Sequence, residues 1–254
     1  MKKLQIMNYK KTVAESTLLF LGIFLALLLE NYVADQELNE KQNRLLRELV
    51  LDLDETIADI QNDIESHSVF FDRTKEIIEV LNQNDSEHQR NLRESELVLS
   101  GIQEICVNYA FVVPKTSTYE SIKSLGLDLI EDDTLRTQVS GFYELTLFRI
   151  STAEQRIYDF TDRECWTYVS KNFTWTSPLE LTNRDVRLGP NAYVMDWMAV
   201  GELRALDYQE LMSDPVFKSM IQELAIRRSF QLLHYRIGLA EAIRVKSGLD
   251  QYLG

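Results

Sequence analysis

Three histidines, His67, His88 and His234, are scattered through 254 residues. None falls in a His-Glu-x-x-His or comparable spacing, which would aim two ring nitrogens at one metal ion from a single helix face. The acidic run Glu131-Asp132-Asp133 lacks the alternate-residue spacing and the glycine that wrap a loop around calcium, so its expected use is to start a helix. No nucleophile elbow, phosphate-cradling loop or dinucleotide fingerprint occurs. The residues predict no catalytic centre, no metal site and no cofactor, so a non-enzyme is expected. Cys106 and Cys165 stand outside any Cys-x-x-Cys motif. They would form a disulfide in an oxidising compartment and would otherwise be two buried thiols; closing a loop of about 60 residues stabilises by ~4 kcal/mol in the chain-entropy account.

The residues with the most definite physical meaning are Glu15 and Glu30, because of what lies between them. Residues 16–29, STLLFLGIFLALLL, carry no charge. At ~1.5 Å per residue they cover ~21 Å, short of a ~30 Å hydrocarbon core, whereas residues 13–34 cover ~33 Å. A transmembrane helix over 13–34 therefore needs both glutamates near its interfaces. A secretory signal would need small residues at a cleavage point just beyond the run, and Tyr32 stands where one is required; a buried helix of a soluble domain is the other alternative. Lys2, Lys3, Lys10 and Lys11 precede the segment, and this basic bias keeps residues 1–12 in the cytoplasm. Residues 35–254 are then a periplasmic helical-bundle domain of a bacterial inner-membrane protein.

On a helical wheel Gly22, Ala26 and Val33 fall within about 20° of the direction of Glu15. Small residues four apart, Gly22 and Ala26, let a second helix approach closely in lipid. An intramembrane carboxylate is a candidate ion or proton site. The alternative use of Glu15 and Glu30 is to reach water at the two interfaces, with local thinning of the bilayer.

Composition sets the rest of the architecture. Forty acidic against 27 basic residues give a formal charge of −13, which repels phosphate backbones and excludes nucleic acid as an expected partner. Nine glycines and four prolines are too little punctuation for many short strands. The chain is expected to be all-α, one N-terminal transmembrane helix continuing into a bundle of long antiparallel helices. Apolar residues recur three and four apart after the anchor, with Val50, Ile57, Ile64, Phe71 and Ile78 at heptad position a. Position d holds Leu46, Leu53, Ile60, His67, Thr74 and Leu81, the later half weakened by His67 and Thr74. A coiled coil between protomers and a bundle within one chain both use such a stripe.

Long helices are predicted over 36–82, 133–170 and 214–252, and shorter ones near 93–108, 117–126 and 192–206. Ser117 with Glu120 reads as a capping box, Asp132 or Asp133 as a helix start, Ser213-Asp214-Pro215 as a cap with proline in the first turn. Residues 82–91 read as a loop, and 173–190 as an ordered loop or short strand excursion. Basic residues of the last helix, such as Lys246, would pair with the acidic start of the first, while Met220, Leu224, Phe230, Leu233 and Ile237 supply the apolar contact.

Two segments together resemble a known family. Residues 14–37, AESTLLFLGIFLALLLENYVADQE, and 114–144, PKTSTYESIKSLGLDLIEDDTLRTQVSGFYE, resemble an uncharacterised family of bacterial single-pass membrane proteins, a domain-of-unknown-function family. Its anchor pattern is matched by Glu15, Gly22, Ile23, Ala26, Leu27, Asn31 and Tyr32, with tyrosine where the family more often has tryptophan. Its second motif is matched by Ser117, Tyr119, Glu120, Lys123, Ser124, Gly126, Leu129, Ile130, Leu135 and Arg136. The two cover about a fifth of the chain. The resemblance implies the anchor and its topology, places Asn31 beside Glu15, Gly22, Ala26 and Glu30 as candidates for a transmembrane interface or ion pathway, and brings no reaction. The second motif reads on its own as a helix-loop-helix corner, with Tyr119, Lys123 and Arg136 as a candidate partner site.

The expected protein is a non-enzymatic scaffold or sensor that spans the membrane once, in contact with lipid, as a homo-oligomer or with another membrane protein. The alternative is a subunit of an ion-conducting channel in which anchors bring their glutamates into a ring.

Overall fold

The computed structural model describes residues 2–82, 92–107, 111–175, 180–181, 199–200 and 203–254. The chain is all-α with small strand additions. Helix α1 runs unbroken from Lys2 to Asn82, 81 residues, with neither glycine nor proline after Gly22 to interrupt it. Helices α2 (Leu92–Val107) and α3 (Ser117–Leu125) follow. Next come α4 (Asp133–Gly141), α5 (Leu147–Phe160) and α6 (Trp166–Asn172), joined into one rod by π turns at Phe142–Thr146 and Thr161–Cys165. The short α7 (Tyr208–Ser213) leads into α8 (Pro215–Leu253), 39 residues long.

The starts and stops are local chemistry. Asp132 accepts from the Leu135 N–H at 2.8 Å and Asp214 from the Val216 N–H at 2.8 Å, each satisfying an orphan donor of a first turn. Pro215 sits where no N–H is needed. Gly126 ends α3 at φ 114°, in the left-handed half of the map that favours glycine. The expected capping box is not formed. Thr116 is the N-cap, it makes no side-chain cap bond, and Ser117 is already helical.

A predicted helix over 192–206 is also corrected. Ala199–Val200 (β3) and Leu203–Ala205 (β4) are strands, antiparallel to Glu180–Leu181 (β2) and Phe173–Trp175 (β1) respectively. Leu203 and Phe173 are buried while Arg204 and Thr174 face out, the period-two pattern of a strand half on a core. The loop predicted over 82–91 lies, from residue 83 on and with His88, outside the described residues.

Helix α8 packs antiparallel on α1. Lys246 reaches Asp54 at 3.5 Å, and Tyr252 lies 3.4 Å from Gln42, so the carboxyl end returns toward the amino-terminal half of α1. The heptad stripe of α1 is thereby used inside one chain. Its inner face is turned from the expected one. The d residues Leu46, Leu53, Ile60, His67, Thr74 and Leu81 are buried, but the a residues are only half-buried. Leu49, Thr56, Asp63 and Ile77 complete the inside instead, because α2 and the stretch leading into α3 lie against α1 beside α8, with Ile77 under Gly101 of α2 and Thr56 accepting from the Lys115 N–H.

On α8 the expected apolar set splits. Met220 and Leu224 are buried, but Phe230, Leu233 and Ile237 are 58%, 50% and 43% exposed. The expected charge pairing is also mostly within the helix, since Arg227 and Arg244 bind Glu223 and Glu241 of α8 itself.

Two apolar clusters result. One, nearer the amino end of α1, joins Leu46, Leu49, Leu53 and Ile60 to Ile122, Val139, Phe142, Val245 and Leu249. The other joins Ile77, Ile102, Ile105, Val169, Phe217 and Leu224, with Cys106 and Cys165 inside it. Those cysteines form a disulfide, Cα atoms 5.9 Å apart, linking α2 to the rod.

Candidate functional site

Between the two apolar clusters lies a buried polar layer. The inner stripes of α1, α5 and α8 each carry polar residues at the same height: Asp63 and His67, Glu154, and Arg228, Gln231 and Tyr235. None of the six is more than 5% exposed. Burying so many polar groups is costly unless they bond to one another, and all but Asp63 do. Glu154 accepts from the Tyr235 hydroxyl at 2.8 Å and from the Val112 N–H at 2.8 Å. Gln231 donates to Tyr235 at 2.9 Å, and its amide nitrogen is 3.3 Å from His67 Nε2.

Arg228 stands on the other side of the imidazole, with Nη1 3.3 Å from His67 Nδ1. Guanidinium can only donate, so Nδ1 is the acceptor. Its Nη2 donates to the Ile105 carbonyl at 2.6 Å, and the group lies over the Phe70 ring, 5.2 Å from the centroid. With Nδ1 accepting, Nε2 carries the ring proton and faces the Tyr235 hydroxyl at 3.5 Å, so the chain Arg228–His67–Tyr235–Glu154, with Gln231 donating to Tyr235, ties three helices together and fixes their register.

Three carboxyl groups crowd one side of the layer. An extended stretch after residue 110 crosses α1 and α5, with the Val113 N–H donating to Asp59 at 2.7 Å and the Lys115 N–H to Thr56 at 3.2 Å. Burial raises Asp59 despite the Val113 bond and the Lys115 charge. Burial also raises Glu154, against the bonds from Val112 and Tyr235. Asp63 is pushed up to about 7, by burial first and then by the charges of Asp59 and Glu154. Its Oδ2 has no hydrogen-bond partner among the described residues. Like charges so close favour retention of a proton on one of them. Burial and one another's charge push these carboxyl groups toward the protonated form.

The sequence had pointed elsewhere. Tyr119 and Lys123 do converge, both on Glu144, at 2.8 Å each. Lys123 and Tyr119 hold the Glu144 carboxyl below its usual range by these bonds, and Glu144 raises Lys123 in return. Tyr119 also stacks on Tyr143, centroids 4.4 Å apart. Arg136 does not join them. It bonds the Ile130 carbonyl at 3.0 Å, with Asp133 and Asp128 beside it, and so closes the corner between α3 and α4.

Gly22, Ala26, Glu30 and Asn31 lie on the fully exposed part of α1, and a Cβ on Gly22 would meet nothing within 4 Å. Glu15 is on the same helix, its side chain outside the described residues. Among the described residues there is no group of metal-ligating side chains, and one helix is long and apolar enough to cross a membrane, near the N-terminus.

The polar layer carried a signal: His67 and Thr74 occupy d positions, and Arg228 and Gln231 share a helix face with Leu224 and Tyr235. Comparison with family models, curated proteins and solved structures found no match.

Proposed function

We propose that the chain is a bitopic protein of the bacterial inner membrane, with residues 1–12 in the cytoplasm, 13–34 in the bilayer and 35–254 in the periplasm. Its role is that of a non-enzymatic scaffold or sensor, assembled with copies of itself or with another membrane protein through its anchor and its helical domain. The observation that carries this reading is the two-part character of one helix. Along α1 every residue described from Leu18 to Ala34 is exposed, with Leu18, Leu19 and Phe20 about as open as in an isolated helix, whereas from Leu45 on the same helix is core. An apolar surface of that length demands a solvent of its own.

The disulfide fits an oxidising compartment, and the lysines before the segment fit the orientation. A rigid helix joining anchor to core transmits any tilt or rotation of one to the other, which suits a scaffold or a sensor.

Single-cysteine labelling tests the topology. In intact cells a membrane-impermeant maleimide should label full-length Leu38→Cys and spare Thr12→Cys. Labelling of Thr12→Cys alone would reverse the orientation, and labelling of both at equal rates would remove the span.

A further inference from the structure

Helix α8 has two apolar faces. Its inner face is centred on Leu224, Tyr235 and Ala242. On the opposite side, Ile226, Phe230, Leu233, Ile237 and Ala240 are exposed, the first four by 51%, 58%, 50% and 43%. At 100° per residue the five fall in an arc of about 80°, roughly 170° from the inner face. Their spacing of four, three, four and three is that of a coiled-coil seam, with Phe230 and Ile237 at a and Ile226, Leu233 and Ala240 at d. Phe148 of α5, 66% exposed, stands beside it, and with Thr152, Ile226 and Phe230 it lines a groove of about 430 Å³.

We infer that this face binds the same face of a second copy of this chain, with the two α8 helices parallel and in register. Charge selects the partner and its direction. In the parallel arrangement the g residue Arg236 meets the e residue Glu241 of the partner subunit, five positions on, and the pair occurs twice. An antiparallel arrangement centred on the stripe, at Leu233, sets Arg236 opposite the partner's Phe230 and breaks the Arg236–Glu241 pair. The anchors require the same direction. Two chains held in one bilayer leave it from the same end of α1, and α8 is antiparallel to α1, so the two-fold axis lies along the membrane normal.

Lipid does not reach this face. Tyr235 and Gln231 pack at His67, some 33 residues and ~50 Å along α1 from residue 34. The seam ends at Arg244, where like charges would face each other. The inference rests on the anchor reading for its orientation and adds the partner and the surface.

The test uses the full chain in nanodiscs or mild detergent. A d residue of a parallel, in-register pair meets its own counterpart, so Leu233→Cys should give an interchain disulfide on mild oxidation, and Leu51→Cys, 64% exposed on α1, should not. By light scattering the wild-type mass should be twice the protomer's. Arg236→Glu and Glu241→Arg should each raise the dimer dissociation constant roughly tenfold, and the double exchange should restore it. All four positions are on the surface, and unchanged circular dichroism confirms folding.

A monomeric wild type, a dimer indifferent to Leu233→Glu that fails to cross-link at position 233, or loss of mass doubling without rescue in the double exchange would each overturn the interface. So would capping of the stripe by residues 176–202 of the same chain, seen as cross-linking of Leu233→Cys within one protomer. Alkaline extraction on the same samples reports the anchor separately: a monomer that stays in the membrane defeats the interface and leaves the anchor standing.

Discussion

Replacing Asp63 by asparagine should stabilise the protein at alkaline pH and do little in acid. Asp63 is 4% exposed, and its carboxyl is raised from 3.8 to about 7 by burial and by Asp59 and Glu154. Between those values the folded chain keeps a proton that the unfolded chain has released. The unfolded state then binds fewer protons, so stability falls as pH rises from about 4 to about 7 and stays reduced above it. A rise of about three pH units at ~1.4 kcal/mol each sets an upper value of ~4 kcal/mol. Glu154 and Asp59 are raised as well and take up part of the proton when Asp63 releases it, which brings the expected gain to about 2–4 kcal/mol.

The assay is denaturant unfolding of the full chain in mild detergent, followed by near-ultraviolet circular dichroism, for wild type and Asp63→Asn from pH 4 to 8. The difference should be near zero at pH 4 and grow steadily to pH 7. A difference independent of pH, or a variant less stable than wild type at pH 8, would refute the proton-holding account of the layer.

Three further outcomes follow from the packing. Thiol counting on unfolded, unreduced protein should find no free thiol and, after reduction, two; the variant Cys106→Ser/Cys165→Ser should lose ~4 kcal/mol in unfolding free energy. Gly238→Ala should cost about 1–3 kcal/mol, because the new methyl would sit 2.5 Å from Ile150 Cδ1 and 3.7 Å from Thr146 Cγ2. Leu53→Ala, at a position with no exposure, should cost about 2–5 kcal/mol, whereas Leu51→Ala, 64% exposed two residues away, should change stability by less than about 0.5 kcal/mol.

The long helices were legible because their signals are local. The apolar run of residues 16–29, the aspartate caps at 132 and 214 and the absence of glycine and proline after Gly22 all act within a few residues. The face of each helix was harder. A stripe three and four apart is compatible with neighbouring rotations, and α2 with the stretch before α3, packed on α1 beside α8, turned the inside of α1 from a and d toward d and Leu49, Thr56, Asp63 and Ile77. On α8, Phe230, Leu233 and Ile237 looked like core because they are apolar at core spacing; only the packed bundle shows that they lie on a second apolar face. Strands β3 and β4 depend on β2 and β1 far back in the chain, which no local pattern around residue 200 reveals. His67 interrupted the seam visibly, but its partners Arg228 and Gln231 come from more than 160 residues away.

The central claim is that residues 13–34 stay in the mature protein and cross the bilayer. Alkaline carbonate extraction of membranes carrying the full-length chain tests it most directly, beside a full-length variant with Leu21→Asp and Leu25→Asp. Two carboxylates at the middle of the segment cost about 5–7 kcal/mol in insertion. Wild type retained in the pellet with an intact amino terminus, and the variant released to the supernatant, is the predicted result. Release of wild type, or a mature chain beginning after Ala34, would contradict it.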